Sequence, residues 1–98
     1  MSSMQKLMKQ AQQMQDRLQK ELAVTVVEAS VGGGMVSVRM NGHKQLVSVK
    51  IEAEAMDKDD TSMLEDLIVA AVNEAGRKVD ETMQGRMGSL AAGLPGLF

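Results

Sequence analysis

The hydrophobic period of this chain changes twice, and the two changes limit what it can fold into. Residues 3–22 carry apolar side chains at helical spacing, residues 24–51 alternate, and helical spacing returns from residue 59 to residue 85. A chain of 98 residues has room for one domain, so the three segments must share a single thin core. The expectation is an α+β fold: a long N-terminal helix, a three-stranded antiparallel meander and a long C-terminal helix.

In the first segment Met4, Leu7, Ala11, Met14 and Leu18 lie three and four residues apart, and Met8 and Leu22 widen the seam. Such a helix is roughly 30 Å long, and its narrow seam suits one neighbouring helix better than a broad core. In the middle segment Val24–Val31 is rich in β-branched residues and reads as a strand. Gly32-Gly33-Gly34 ends it. Val36, Val38 and Met40 then alternate with polar residues, as do Val47, Val49 and Ile51, which gives two more strands with one apolar face. Between them Asn41-Gly42 predicts a type I′ hairpin, whose two central residues need positive φ. Asp57 in the acidic stretch 52–60 is the expected cap of the second helix. That helix is apolar over most of its circumference at the front, from Met63 to Ala75. Its rear, to Met87, keeps a single stripe of Val79, Met83 and Met87. The rear resembles the first helix, so the two are expected to pair as antiparallel arms. Residues 1–87 make the domain, and the Gly- and Pro-containing residues 88–98 read as a mobile tail.

Composition removes most chemistries. There is no Cys, one His and one aromatic residue, a Phe. That excludes disulfides, thiolate metal sites and thiol nucleophiles, and it disfavours stacking on rings. The longest apolar run, Leu67–Val72, is far shorter than a membrane span, and no apolar leader is visible, so a cytoplasmic protein is expected. Gly32-Gly33-Gly34 lacks the Lys-Ser/Thr of a phosphate loop. Residues 57–68 lack the Gly and Glu of a calcium loop, with Ser62 and Ile68 in those places. The ten Met fall on the apolar seams as packing residues, not as a copper site. No carboxylate pair, nucleophile–base set or cofactor fingerprint stands out, so no enzymatic activity, cofactor, metal or small-molecule substrate is expected.

The net charge of −2 conceals an asymmetry: residues 1–50 carry seven bases and three acids, residues 51–98 four bases and ten acids. On the first helix Lys6, Lys9, Gln13, Arg17 and Lys20 share one broad face. That spacing serves a stripe that follows backbone phosphates, or a merely solvated outer face. Arg77, Lys78 and Arg86 extend the stripe if the arms pair, although Asp80 and Glu81 lie among them. Exposed seams on projecting arms are unsatisfactory in a monomer, so a homodimer is expected. Its candidate interface residues are Leu7, Met14, Leu18, Leu64, Leu67, Ile68, Val72 and Val79. Two uses remain open: arms that bind double-stranded DNA, and arms that grip a helix of another protein as a dimeric adaptor.

Several stretches resemble one family. They are Met8-Lys9-Gln10-Ala11-Gln12-Gln13-Met14-Gln15, Gly32-Gly33-Gly34-Met35-Val36 with Asn41-Gly42, Val47 to Ile51, the block from Met63 to Ala75, and the tail Gly93 to Phe98. Together they are similar to the YbaB/EbfC family of bacterial nucleoid-associated proteins, along the whole chain and in order. Asp57-Lys58 and Glu52-Ala53 stand where that family often has Asp-Pro. The resemblance implies a cytoplasmic, nucleoid-located homodimer with tweezer-like helical arms. It implies binding of double-stranded DNA, a change in DNA conformation and an influence on gene expression.

Overall fold

In the computed structural model, which describes residues 2–92, the order of elements is helix, three strands, helix. Helix α1 spans Ser2–Val24, strands β1, β2 and β3 span Val26–Val31, Val36–Asn41 and Leu46–Ile51, and helix α2 spans Ser62–Ala92. The strands form one antiparallel sheet in the order β1-β2-β3. This is the α+β arrangement that the two changes of period require. The particle is drawn out to 68 × 26 × 15 Å. Its radius of gyration is 19.4 Å, against about 13 Å for a compact chain of this length.

The core lies between α2 and the sheet. Ala29, Val36, Val38 and Met40 from the strands meet Ala71, Ala75 and Val79 from α2, all at most 3% exposed. Small residues one helical turn apart on α2 let its backbone lie close to the sheet. The turn between β1 and β2 adds to this closeness. Gly32, Gly33 and Gly34 all have positive φ, a run that only glycine adopts without strain. A Cβ on Gly32 would also lie 2.8 Å from Leu67 Cδ2.

Beyond small shifts of the element ends, four features differ from the sequence expectation. First, Asp57 does not cap α2: its carboxylate accepts the Asp59 N–H within a separate turn. Asp60 takes the capping place, accepting both the backbone N–H and the hydroxyl of Ser62, the first residue of α2. Those two donors hold the Asp60 carboxyl below its ordinary range. Second, Asn41-Gly42 is not a type I′ turn. Asn41 N–H donates to Gln45 O and Lys44 N–H to Asn41 O, so Gly42, His43 and Lys44 form a three-residue loop. The positive φ falls on Lys44, at 62°. Third, a bulge in β3 pairs Met40 with Leu46 and Arg39 with Ser48, which leaves Val47 as the extra residue outside the regular inward row. Fourth, α2 continues as helix past Met87 to Ala92, while residues 93–98, the rest of the expected tail, lie outside the described residues.

Because α2 lies over β1 and β2, the β3 side of the apolar face is left open. Leu46 and Val49 are 46% and 44% exposed, and the bulged Val47 beside them 55%. On α1 the seam residues Met4, Leu7, Met8, Met14 and Leu18 are 55–74% exposed. Within one chain, therefore, α2 does not cover the α1 seam as an antiparallel partner. Two residues of the rear stripe of α2 go elsewhere: Val79 is buried at 2% in the core of its own chain and Met83 packs against that core, while the Met87 side chain lies outside the described residues. Val79 is thus spent inside the chain and is not on offer to a second copy. The total accessible surface is 7567 Å², about 2,000 Å² more than a compact monomer of this size presents.

Candidate nucleic-acid interface

Helix α1 has two opposed faces. At about 100° per residue, Lys6, Lys9, Gln13, Arg17 and Lys20 fall within an arc of about 80°, centred roughly opposite the Met4–Leu18 seam. All five are exposed. From Lys6 to Lys20 the stripe runs about 21 Å along the helix axis. Only Asp16 and Glu21 carry negative charge on α1. Among the described residues, none of Lys6, Lys9, Arg17 and Lys20 lies within ion-pair distance of a carboxylate. Gln10, Gln13, Met14 and Arg17 line a shallow groove along the helix, where amide donors adjoin the cations.

The cations of α2 are placed differently. Arg77 is paired with Glu74, one turn earlier on the same helix. The hydrogen bond between them holds the Glu74 carboxyl below its ordinary value and raises the Arg77 guanidinium. Lys78 reaches across to the sheet, where its Nζ donates to the Glu28 carbonyl at 2.8 Å. Arg86 borders a shallow groove with Glu21, Val24 and Thr25 at the base of α1. At about 100° per residue these three residues leave α2 in three different directions. Within one chain the structure brings Arg86 next to α1 and leaves Arg77 and Lys78 engaged elsewhere, so there they do not prolong the α1 stripe.

The sheet carries its own cations. Lys44 Nζ lies 2.8 Å from Asp80 of α2, Lys50 lies 3.7 Å from Glu52, and Arg39 stands opposite Glu28 in the strand register. Off α1, then, positive charge mostly sits beside a carboxylate or a carbonyl. Of the candidate interface residues, Leu7, Met14 and Leu18 are exposed, while Leu64, Leu67, Ile68 and Val72 are half-buried against the core.

Gly42 owes its place to a close approach and not to its backbone conformation. Gly42 is not in the left-handed region, so the turn does not need glycine there for its backbone. Its Cα instead lies against the end of α1, where a Cβ would sit 2.7 Å from Leu22 O. The sequence offers only a weak signal for this, a glycine in a turn well beyond the end of the helix it touches.

Among the described residues no group of three or more His, Cys, Asp or Glu is placed to hold a metal ion. No helix among them is long and apolar enough to cross a membrane.

Comparison with known proteins agrees with the fold. The chain is 48% identical over 95 residues to a nucleoid-associated protein of Chloroflexus aurantiacus, covering 94% of this chain and 95% of that one. It is 50% identical over 103 residues to a nucleoid-associated protein of Acidobacterium capsulatum, covering 97% and 95%. The crystal structure of an uncharacterized protein from Helicobacter pylori has the same fold, with a TM-score of 0.72 at 23% identity over 93% of this chain and 96% of that one. The family model described as the YbaB/EbfC DNA-binding family matches residues 1–94, and the chain is a member of that family.

Proposed function

We propose that this chain is a nucleoid-associated protein that works as a homodimer. Its α1 arms bind double-stranded DNA mainly through backbone phosphates, change the path of the duplex and thereby influence expression of nearby genes. The observation that carries this reading is the outer face of α1, where Lys6, Lys9, Arg17 and Lys20 are exposed without a carboxylate partner among the described residues. The family's description as DNA-binding supports the same ligand, and the relatives named nucleoid-associated proteins support the setting. A second copy accounts for the open apolar surfaces. The excess of about 2,000 Å² per chain over a compact monomer is more than the roughly 800 Å² that each partner gives to a standard interface.

The chemistry is electrostatic. Each neutralised phosphate releases counterions and contributes about 0.9 to the slope of log affinity against log salt. Four cations on one arm give a slope of about 3.6, and two arms up to about 7. Such contacts position a protein on DNA without reading sequence, because base readout needs bidentate groups fixed in the major groove.

A salt-titrated mobility shift on several unrelated duplexes tests the proposal. The expected result is retention at low salt, similar for all duplexes, with a slope between those two values. Absence of a shift at low salt would overturn it. That result would favour the adaptor reading, which rests on the apolar seam of the same arm.

A further inference from the structure

We propose that the β2–β3 turn is the clasp that sets the direction of the α1 arm, with Gly42 and His43 as its positioning residues. The last carbonyls of a helix have no partner within it. In α1 they are taken up by the turn and by the residue that follows the helix. Gly42 N–H donates to Leu22 O at 2.8 Å. His43 Nε2–H adds a bond at 3.3 Å to Gln19 O, a carbonyl about one turn further into the helix. Thr25 donates to Glu21 O through its backbone N–H at 3.0 Å and its hydroxyl at 2.7 Å. Beyond this point α1 exposes its whole seam, so the clasp is its principal attachment to the body of the chain.

The turn is shaped to present these donors. Asn41 Oδ1 accepts the N–H groups of both His43 and Gln45, which fixes the loop independently of α1. Lys44 adds an ion pair to Asp80, tying the same loop to α2. The hairpin tip therefore joins the arm to both the sheet and the second helix. Gly42 must be small because of the arm alone. A Cβ there would lie 2.7 Å from Leu22 O and 3.0 Å from Leu22 Cα, both backbone atoms that no rotamer change can move.

The inference rests on the reading of α1 as the DNA-binding arm, since arm direction then decides which duplex geometry two arms can straddle. In Gly42→Ala a shortfall of about 0.7 Å from ordinary contact must be absorbed within one turn of helix, about 5.4 Å. Carried over the roughly 25 Å from Leu22 to Gln5, it swings the arm tip by about 3 Å.

The test uses the absence of Cys in this chain. Spin labels are attached at Gln5→Cys and Ser48→Cys, doubly labelled chains are diluted into unlabelled ones, and the distance distribution is read by pulsed dipolar spectroscopy without DNA. The parent should give one narrow distribution. Gly42→Ala should shift its mean by about 3 Å or at least double its width. His43→Ala, which removes a bond and adds no clash, should widen it without shifting the mean. Gly76→Ala, where an added Cβ meets nothing within 4 Å, should leave it unchanged. Distributions identical to the parent in both Gly42→Ala and His43→Ala would overturn the clasp. Should Gly42→Ala fail to fold by circular dichroism, His43→Ala decides alone. Because the distance is read without DNA, an unchanged distribution with intact duplex binding removes the clasp only. A shifted distribution in a chain that never binds duplex removes the DNA reading only.

Discussion

Replacing Lys6 and Lys9 together with alanine removes half of the cationic charge from the outer face of α1 without touching the core. Both side chains are exposed and neither is within ion-pair distance of a carboxylate among the described residues, so the change strands no buried group. Alanine is the better helix former, so α1 itself should persist. Two lost phosphate contacts lower the salt slope by about 1.8 for each engaged arm. With the 1 M intercept unchanged, that is about a 60-fold loss of affinity at 0.1 M salt. Mobility shifts or fluorescence anisotropy between about 50 and 200 mM salt resolve a change of this size. Arg77→Ala is the matched comparison, because it removes one positive charge that Glu74 already holds. Its slope should fall by well under 0.9, roughly the value of one phosphate contact. An unchanged slope in the double variant, or an equal fall on removing Arg77, would refute the assignment of the contacts to α1.

Leu18→Glu places a charge in the exposed α1 seam, and its mass by light scattering should fall from that of a dimer to that of one 10.6 kDa chain; an unaltered mass would take the seam out of the interface. Lys44→Gly relieves a left-handed residue, worth about 1–2 kcal/mol, and loses a half-exposed ion pair to Asp80, worth about 0.2–1 kcal/mol. Urea unfolding should therefore show it as stable as the parent or slightly more so, whereas a clear loss would mean that the ion pair outweighs the strain. Asp60 has its carboxyl lowered by the Ser62 hydroxyl and N–H, so its stabilising effect is complete above the ordinary carboxylate range and disappears as pH falls through the lowered value. Asp60→Asn should flatten the acid limb of the melting-temperature profile; an unchanged limb would show that other carboxylates set it.

The sequence carries the elements of this fold because its apolar periods are strong where burial is strong. Val36, Val38 and Met40 alternate because one sheet face is buried, and Ala71, Ala75 and Val79 recur because one helix face lies on that sheet. What it does not carry are the points where one local choice displaces another. Asp57, Asp59 and Asp60 are equally good caps in one dimension, and only the path of the chain selects Asp60. Asn41-Gly42 suits a two-residue turn, yet the strand register pairs Asn41 with Gln45, which leaves a three-residue loop with its positive φ on Lys44. Val79 reads as an arm residue because the residues around it are charged, but α2 is still over the sheet at that point. The candidate site was legible as far as the α1 stripe, since spacing alone puts Lys6, Lys9, Gln13, Arg17 and Lys20 on one face. That Arg77 and Lys78 are engaged depends on Glu74 and on a carbonyl of β1, which no spacing rule can supply.

The central claim is that the α1 face meets the phosphates, and lysine footprinting reads it residue by residue. The protein is acetylated briefly with and without duplex at low salt, and each lysine is quantified by mass spectrometry. The account predicts that DNA protects Lys6, Lys9 and Lys20 several-fold and leaves Lys44, Lys50 and Lys78 at their free reactivity. Protection centred on Lys44 and Lys50, with Lys6 and Lys9 still fully reactive in the bound state, would contradict it.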